Sequence, residues 1–238
     1  MEIQDAPAAY FFKLWPKIEA NWIRIALGGG IIIVVAMLIS FYSWQRDQKE
    51  ITAGKALTQS MLSVPSIPRN PTASQLAELY SKQADVYLKI AGDHQGTSAG
   101  QRALLQGAAM LFEAERYADA QTQFQKFLDA HPDGFFASQA ALGVATSLDA
   151  QGKTDLAAGA YQRVINISSD LTAANAAKFA LAQIDERQNK LSDARNLYED
   201  IVRNNPNSEA GQRAMELKMK LPSAPPATAP AAPFKPNP

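Results

Sequence analysis

The sequence predicts an all-α protein in which a single transmembrane helix is followed by an α-solenoid of helix–turn–helix repeats. Three observations support this prediction. A period of 37 residues aligns 101–137, 138–174 and 175–211 without a gap. A run of 21 residues without charge lies between Arg24 and Arg46. Proline, glycine and asparagine clusters divide the remainder into segments of helical length, as expected for stacked helical units that cannot bury their apolar faces alone.

The first part of the chain predicts an N-terminal segment over 1–23 and a transmembrane helix over 24–45. The 21 uncharged residues would extend roughly 30 Å as a helix, which is the thickness of a bilayer core. The three tryptophans flank the run, as in an interfacial aromatic belt: Trp15, Trp22 and Trp44. A cleaved signal peptide is disfavoured, because the run is long and no small-x-small motif follows it.

The distribution of lysine and arginine does not predict which end of the transmembrane helix faces the cytoplasm. Three basic residues precede it and three follow it closely: Lys13, Lys17 and Arg24, then Arg46, Lys49 and Lys55. The positive-inside count is therefore tied.

The glycines of the apolar run are a candidate contact with a membrane partner. Gly28, Gly29 and Gly30 weaken a helix but let another helix approach closely in lipid. The alternative is that membrane helices simply tolerate glycine.

A juxtamembrane helix and a proline-containing loop are predicted over 46–71. No proline occurs between Arg46 and Pro65, so we expect one helix from about Pro16 to Leu62, roughly 70 Å long at 1.5 Å per residue.

A repeat domain is predicted over 72–221, with a capping helix at 212–221 and a leading helix that starts at Asn70-Pro71. The predicted helices are 72–91, 98–113, 117–130, 134–150, 154–167, 172–187, 191–204 and 208–219.

Four sets of residues coincide in the repeats. Alanines recur where two helices should cross, and an aromatic and an apolar residue recur three positions apart on one helix face. The sets are Ala108, Ala145 and Ala182; Ala120, Ala157 and Ala194; Phe124, Tyr161 and Tyr198; and Phe127, Val164 and Ile201. We interpret the aromatics as core residues.

In this order of residues the chain resembles the tetratricopeptide repeats. The first repeat carries Gly107, Ala108, Tyr117, Ala120, Phe124 and Pro132, and the third carries Leu181, Ala182, Leu191, Ala194, Tyr198 and Pro206. The resemblance implies a concave face, lined by the first helix of each unit, that binds protein partners. The residues expected to project into it are Arg102, Leu105, Phe112, Leu142, Thr146, Phe179, Gln183 and Arg213. Exposed apolar residues there would bind an extended segment or a partner helix; alternatively, they pack against neighbouring units.

Composition and motifs argue against catalysis. The formal net charge is zero, which disfavours nucleic acid as a partner, and the absence of cysteine excludes disulfides and thiolate metal sites. No glycine-rich phosphate loop, HExxH or nucleophile elbow occurs. We therefore predict no enzyme, with no catalytic, cofactor or metal site and no small-molecule substrate. The last 17 residues, 222–238, contain seven prolines and predict a disordered Pro/Ala-rich tail.

The whole chain resembles the YfgM-type ancillary subunits of the Sec translocon. The shared features are Phe11-Phe12, the glycine-rich span, Trp44 at its exit and alanine-rich repeats. The resemblance implies a single-pass protein of the bacterial inner membrane, with a cytoplasmic N-terminus and a periplasmic repeat domain. Its implied partners are the translocon and a membrane-anchored chaperone, together with membrane lipid. The alternatives are an accessory subunit of another envelope complex for secretion, division or respiration, or else an enzyme or small-ligand receptor.

Overall fold

The computed structural model describes residues 6–63, 69–168 and 170–222, in which the chain forms nine α-helices and no strand. The predicted all-α fold is therefore confirmed. The helices are α1 (Ala6–Leu62), α2 (Ala73–Asp93), α3 (Ser98–Glu113), α4 (Tyr117–Ala130), α5 (Ala137–Ala150), α6 (Thr154–Ile167), α7 (Leu171–Arg187), α8 (Leu191–Asn204) and α9 (Glu209–Lys220). The tail predicted over 222–238 lies outside the described residues except for Pro222.

The chain divides into two compact units, Met1–Lys55 and Ala56–Pro238. In the N-terminal unit, helix α1 contains an 18-residue window with a mean hydropathy of 2.4, none of it buried. By length and composition this helix can cross a membrane. Its large apolar side chains are exposed, for example Ile32 at 70%.

The predicted long helix is observed, with an earlier start. Helix α1 begins at Ala6 and contains Pro16 in its interior, whereas Pro16 was expected at its first turn. Proline inside a helix removes one backbone hydrogen bond and destabilises the helix, yet α1 extends ten residues further toward the N-terminus than expected.

In the C-terminal unit, helices α3 to α8 form three helical hairpins that follow the 37-residue period. Each hairpin turns at a residue in the left-handed conformation: Glu115 (φ 60°), Gly152 (φ 73°) and Asn189 (φ 59°). In the first hairpin the amide of Arg116 donates to the carbonyl of Leu111, and that of Glu115 donates to Phe112, each at 2.9 Å. The other two hairpins repeat this pair of bonds, which ends a helix by satisfying its last carbonyls.

The core lies where the sequence alignment places it. The six aligned alanines are all 0% exposed, and the aromatic and apolar sets are exposed by 6% or less. A glycine adds to this close contact, because a Cβ atom at Gly143 would lie 2.7 Å from the Phe124 ring. The interpretation of these aromatics as core residues is confirmed.

One further helix start and one predicted helix cap are wrong. Helix α5 begins at Ala137 rather than at residue 134, because two successive turns close between His131 and Gly134 and between Gly134 and Ala137. Helix α2 is capped by Thr72 rather than by Asn70: the Thr72 hydroxyl accepts from the Gln75 amide at 3.2 Å, and the Gln75 side chain accepts from the Thr72 amide at 2.9 Å. The other ends of helices α2 to α9 agree with the prediction to within two residues.

The two ends of the array use the same tight turn. Thr97 and Ser208 cap α3 and α9 by accepting from the amides of Gly100 and Gly211. Each hydroxyl also donates to the carbonyl that ends the preceding helix, that of His94 or of Asn205. A Cβ atom at Gly211 would lie 2.0 Å from the Asn205 carbonyl oxygen, so this approach requires glycine.

Replacing Ala145 by leucine is expected to lower the free energy of unfolding by about 1–3 kcal/mol, because the side chain is fully buried where two helices cross. Thermal and urea unfolding measure the change. Ala118→Leu, at an exposed site on α4, should stay within about 0.5 kcal/mol of wild type. Equal stability of the two variants would contradict the crossing geometry.

Gly211→Ala is expected to destabilise the protein by about 1–3 kcal/mol, since the new methyl group would collide with the Asn205 carbonyl. Gly159→Ala is the matched control: Gly159 is exposed in α6 and its Cβ would meet nothing within 4 Å. That change should stabilise by about 0.5–1 kcal/mol through helix propensity. Urea unfolding should therefore show changes in the free energy of unfolding of opposite sign for Gly211→Ala and Gly159→Ala.

Candidate protein-binding surface

Helices α3, α5 and α7 contact one another in succession, besides packing against their own hairpin partners. A solenoid curves toward the layer whose helices approach most closely, so these first helices form its inner side. A groove of about 550 Å³ lies there, and we call it the inner groove. It is lined by Phe112, Thr146, Asp149, Ala150, Gly152, Thr154, Tyr161, Ala180, Gln183 and Arg187.

An ion pair joins two repeats across the inner groove. A guanidinium nitrogen of Arg187 on α7 donates to a carboxylate oxygen of Asp149 on α5 at 2.8 Å. Their side chains are 53% and 26% exposed, so the pair contributes little stability by itself. The pair places a positive and a negative group side by side in the lining of the inner groove, where a ligand can contact both.

Tyr161 places a hydroxyl group beside this pair. Burial raises the pKa of Tyr161 above its ordinary value, the Asp149 charge raises it further and Arg187 opposes the shift. The hydroxyl therefore stays protonated at neutral pH. Together with the Thr146 hydroxyl and the Gln183 amide, it gives the groove hydrogen-bonding groups suited to a polypeptide.

The structure brings three of the eight predicted concave-face residues into the inner groove: Phe112, Thr146 and Gln183. The Phe112 ring also stacks edge-on against Tyr117, with centroids 5.1 Å apart. Phe112 and Thr146 are half-buried and Gln183 is exposed, so all three present some surface to a ligand.

The other predicted residues lie elsewhere. Leu105 is 5% exposed and belongs to the core, and Leu142 is half-buried against the same core. Phe179 packs beside Tyr198 and under the Arg213 guanidinium, whose carbon lies 5.4 Å from the ring centroid. Arg102 is exposed outside the groove lining. For Leu142 and Phe179, packing against neighbours is thus the observed arrangement.

Sequence reasoning did not find Asp149, Arg187 or the second role of Tyr161 as a groove residue. A usable signal was present for Asp149, which aligns with Phe112 one period earlier. No sequence signal joins Asp149 to Arg187, because their separation of 38 residues is meaningful only once two repeats have stacked.

Gly30 lines a separate groove on α1 with Trp22, Ala26, Leu27, Ile31 and others, of about 580 Å³. A Cβ atom at Gly28, Gly29 or Gly30 would meet nothing within 4 Å. Gly30 therefore leaves open surface in this groove, whereas Gly28 and Gly29 lie outside its lining.

The last hairpin contains a largely buried ion pair between α7 and α8. The Lys178 ammonium donates to the Asp200 carboxylate, which also accepts from Arg203 at 2.9 Å. The hydrogen bond from Lys178 and then that from Arg203 hold the pKa of Asp200 below its ordinary value, against the effect of burial. Lys178 is only 7% exposed, and Asp200 is its ion-pair partner.

Among the described residues, no group of three or more histidine and acidic side chains is arranged to hold a metal ion. What the surface offers is hydrogen bonding, charge and apolar contact.

Comparison with known families agrees with the hairpin geometry. A family model for the tetratricopeptide repeat matches residues 110–171 and 145–209. These ranges contain α4 to α8, so this part of the chain is similar to the tetratricopeptide repeats. No curated protein matches the chain significantly.

Asp200→Asn should lower the free energy of unfolding at pH 7 by about 1–3 kcal/mol, because it leaves the buried Lys178 charge without a carboxylate. The lowered pKa of Asp200 means that this stabilisation is present above the ordinary aspartate pKa of about 3.9 and is lost as the pH falls through the lowered folded-state value. In urea unfolding, the difference in free energy of unfolding between wild type and Asp200→Asn should therefore be smaller at pH 3 than at pH 7. Asp155→Asn, at an exposed site, should change little at either pH.

Proposed function

We propose that this chain is a membrane-anchored scaffold that binds a protein partner in the inner groove. Tetratricopeptide repeats point to a protein-protein interaction scaffold. The observation that supports the proposal most directly is the inner groove itself, where side chains from three successive first helices converge on one surface of about 550 Å³.

The inner groove suits an extended segment or one face of a helix. The half-buried Phe112 ring offers apolar surface at one end. Thr146 and Gln183 offer hydrogen-bonding groups to a main chain, and Asp149 with Arg187 offers both signs of charge to side chains. Groups of this kind, spread over several repeats, recognise a polypeptide better than a compact small molecule.

Helix α1 is the proposed membrane anchor. Support comes from its uncharged run of 21 residues, its exposed apolar side chains and the tryptophans at its flanks. Gly28, Gly29 and Gly30 are the proposed contact with another membrane helix, because small residues permit close helix approach in lipid.

The resemblance to YfgM-type subunits suggests the bacterial inner membrane, with the N-terminus in the cytoplasm and the repeats in the periplasm. The proposed partners are the Sec translocon and a membrane-anchored periplasmic chaperone. An accessory role in another envelope complex is the second candidate, and the identity of the copurifying proteins separates the two.

Partner binding through the inner groove predicts a specific loss. Thr146→Lys and Gln183→Lys should abolish copurification of the partner from gently solubilised membranes, because both introduce a long charged side chain into the groove. Gln162→Lys, on the exposed surface of α6 outside the lining, is the matched control and should retain the partner. Mass spectrometry identifies the retained proteins.

Circular-dichroism melts of all three variants should match wild type, since the substituted side chains are exposed or half-buried. Retention of the partner by Gln183→Lys with an unchanged melt would refute the inner-groove proposal. Recovery of an envelope complex other than the translocon would favour the second candidate.

A further inference from the structure

A second groove lies between α2 and α4, over α3, and we call it the outer groove. Its volume is about 520 Å³. Leu88 and Gly92 of α2 and Leu104 of α3 contribute to it, and Lys126 and His131 close it from α4 and the turn that follows.

The outer groove uses a different part of α3 from the inner groove. The α3 residue that lines the inner groove is Phe112, whereas the outer groove takes Gly100, Gln101 and Leu104. Leu104 lies eight residues before Phe112, about 12 Å along the helix at 1.5 Å per residue. The two grooves share no lining residue.

Glycines keep the outer groove open. A Cβ atom at Gly92 or Gly96 would meet nothing within 4 Å, and both glycines line the groove. Gly100 also lines it, but glycine is required there by the His94 carbonyl, 2.2 Å from an added Cβ.

The lining combines an apolar floor with hydrogen-bonding and basic groups. Leu88 and Leu104 are half-buried against the core, and the amides of Gln95, Gln101 and Gln123 stand around them. Lys126 lies on the rim, and no aspartate or glutamate is among the lining residues. Within the described residues Lys126 takes part in none of the ion pairs.

The last repeat shows what fills the same place in the array. Two periods after Leu104 and Lys126 the chain has Lys178 and Asp200, which form the ion pair between α7 and α8. Lys178 stands at the position of Leu104 and Asp200 at that of Lys126, so a lysine-carboxylate contact can form at this position between a first and a second helix. In the first repeat the second-helix residue is the cation Lys126 and its first-helix counterpart is Leu104, so no carboxylate of the chain stands at the matching position.

We propose that the outer groove binds a short segment of a partner polypeptide that carries an aspartate or glutamate next to an apolar residue. The partner carboxylate pairs with the Lys126 ammonium, and the apolar side chain packs on Leu88 and Leu104. The glutamine amides bind the segment's main chain. This interaction is independent of the inner groove.

The test uses the full chain in detergent micelles to select from a displayed library of random seven-residue peptides, with empty micelles as background. Selected peptides should contain an acidic residue beside an apolar one. Lys126→Ala should weaken their binding about tenfold, the loss of one good charge pair. Gly92→Leu should block it, because a Cβ at Gly92 meets nothing within 4 Å and the rest of the side chain would occupy space in the groove that Gly92 lines.

Arg163→Ala is the matched control: Arg163 occupies the position of Lys126 one period later and lies outside the lining. It should bind the peptides as wild type does, and thermal melts of all variants should show intact folding. The proposal is overturned if no peptide is selected, if the selected peptides lack a carboxylate, or if they bind Lys126→Ala and Gly92→Leu normally. Loss of binding in Gln183→Lys instead would assign the peptides to the inner groove and also overturn it.

Discussion

The close crossing of paired helices at alanine is the constraint on which the repeat structure depends. Two alanines per hairpin, for example Ala108 and Ala120 in the first, are 0% exposed. With no side chain beyond Cβ, the two backbones approach until the aromatic and apolar residues of the second helix fill the space between layers. Small residues recur with a period of 37 residues because every hairpin needs them at the same point, where its two helices cross.

The turns maintain that spacing by two different devices. Within each hairpin, a left-handed residue such as Glu115 or Asn189 ends the first helix at the same position. Between hairpins the connections vary in length, and α5 starts late because residues 134–136 form turns. The geometry of the connection between two helices is therefore the same inside every hairpin but differs between one hairpin and the next. This difference explains why a gap-free sequence period is compatible with connections of unequal length.

Both grooves follow from the two-layer arrangement. Side chains on one side of the first helices form the inner groove, where a second polypeptide can contact several repeats at once. A separate space, between successive second helices, is lined by residues that differ from one repeat to the next. Glycines leave it open beside Leu104 and Lys126, whereas Lys178 and Asp200 pair at the corresponding position of the last repeat. Near-identical backbones thus offer different surfaces, because surface residues are free to vary while crossing residues are not.

The sequence by itself determined the helix order, the crossing residues and the apolar helix, since these depend on spacing and composition along the chain. It also predicted Phe112, Thr146 and Gln183 on the inner side, and these three residues line the inner groove. The tertiary structure decided which of the eight predicted residues remain accessible: Leu105 has the right spacing for the inner face but is buried. Only stacking brings Asp149 to Arg187 and Leu104 to Lys126, because these pairs lie on different helices. Their distances depend on how the helices pack, a quantity that no local pattern in the sequence contains.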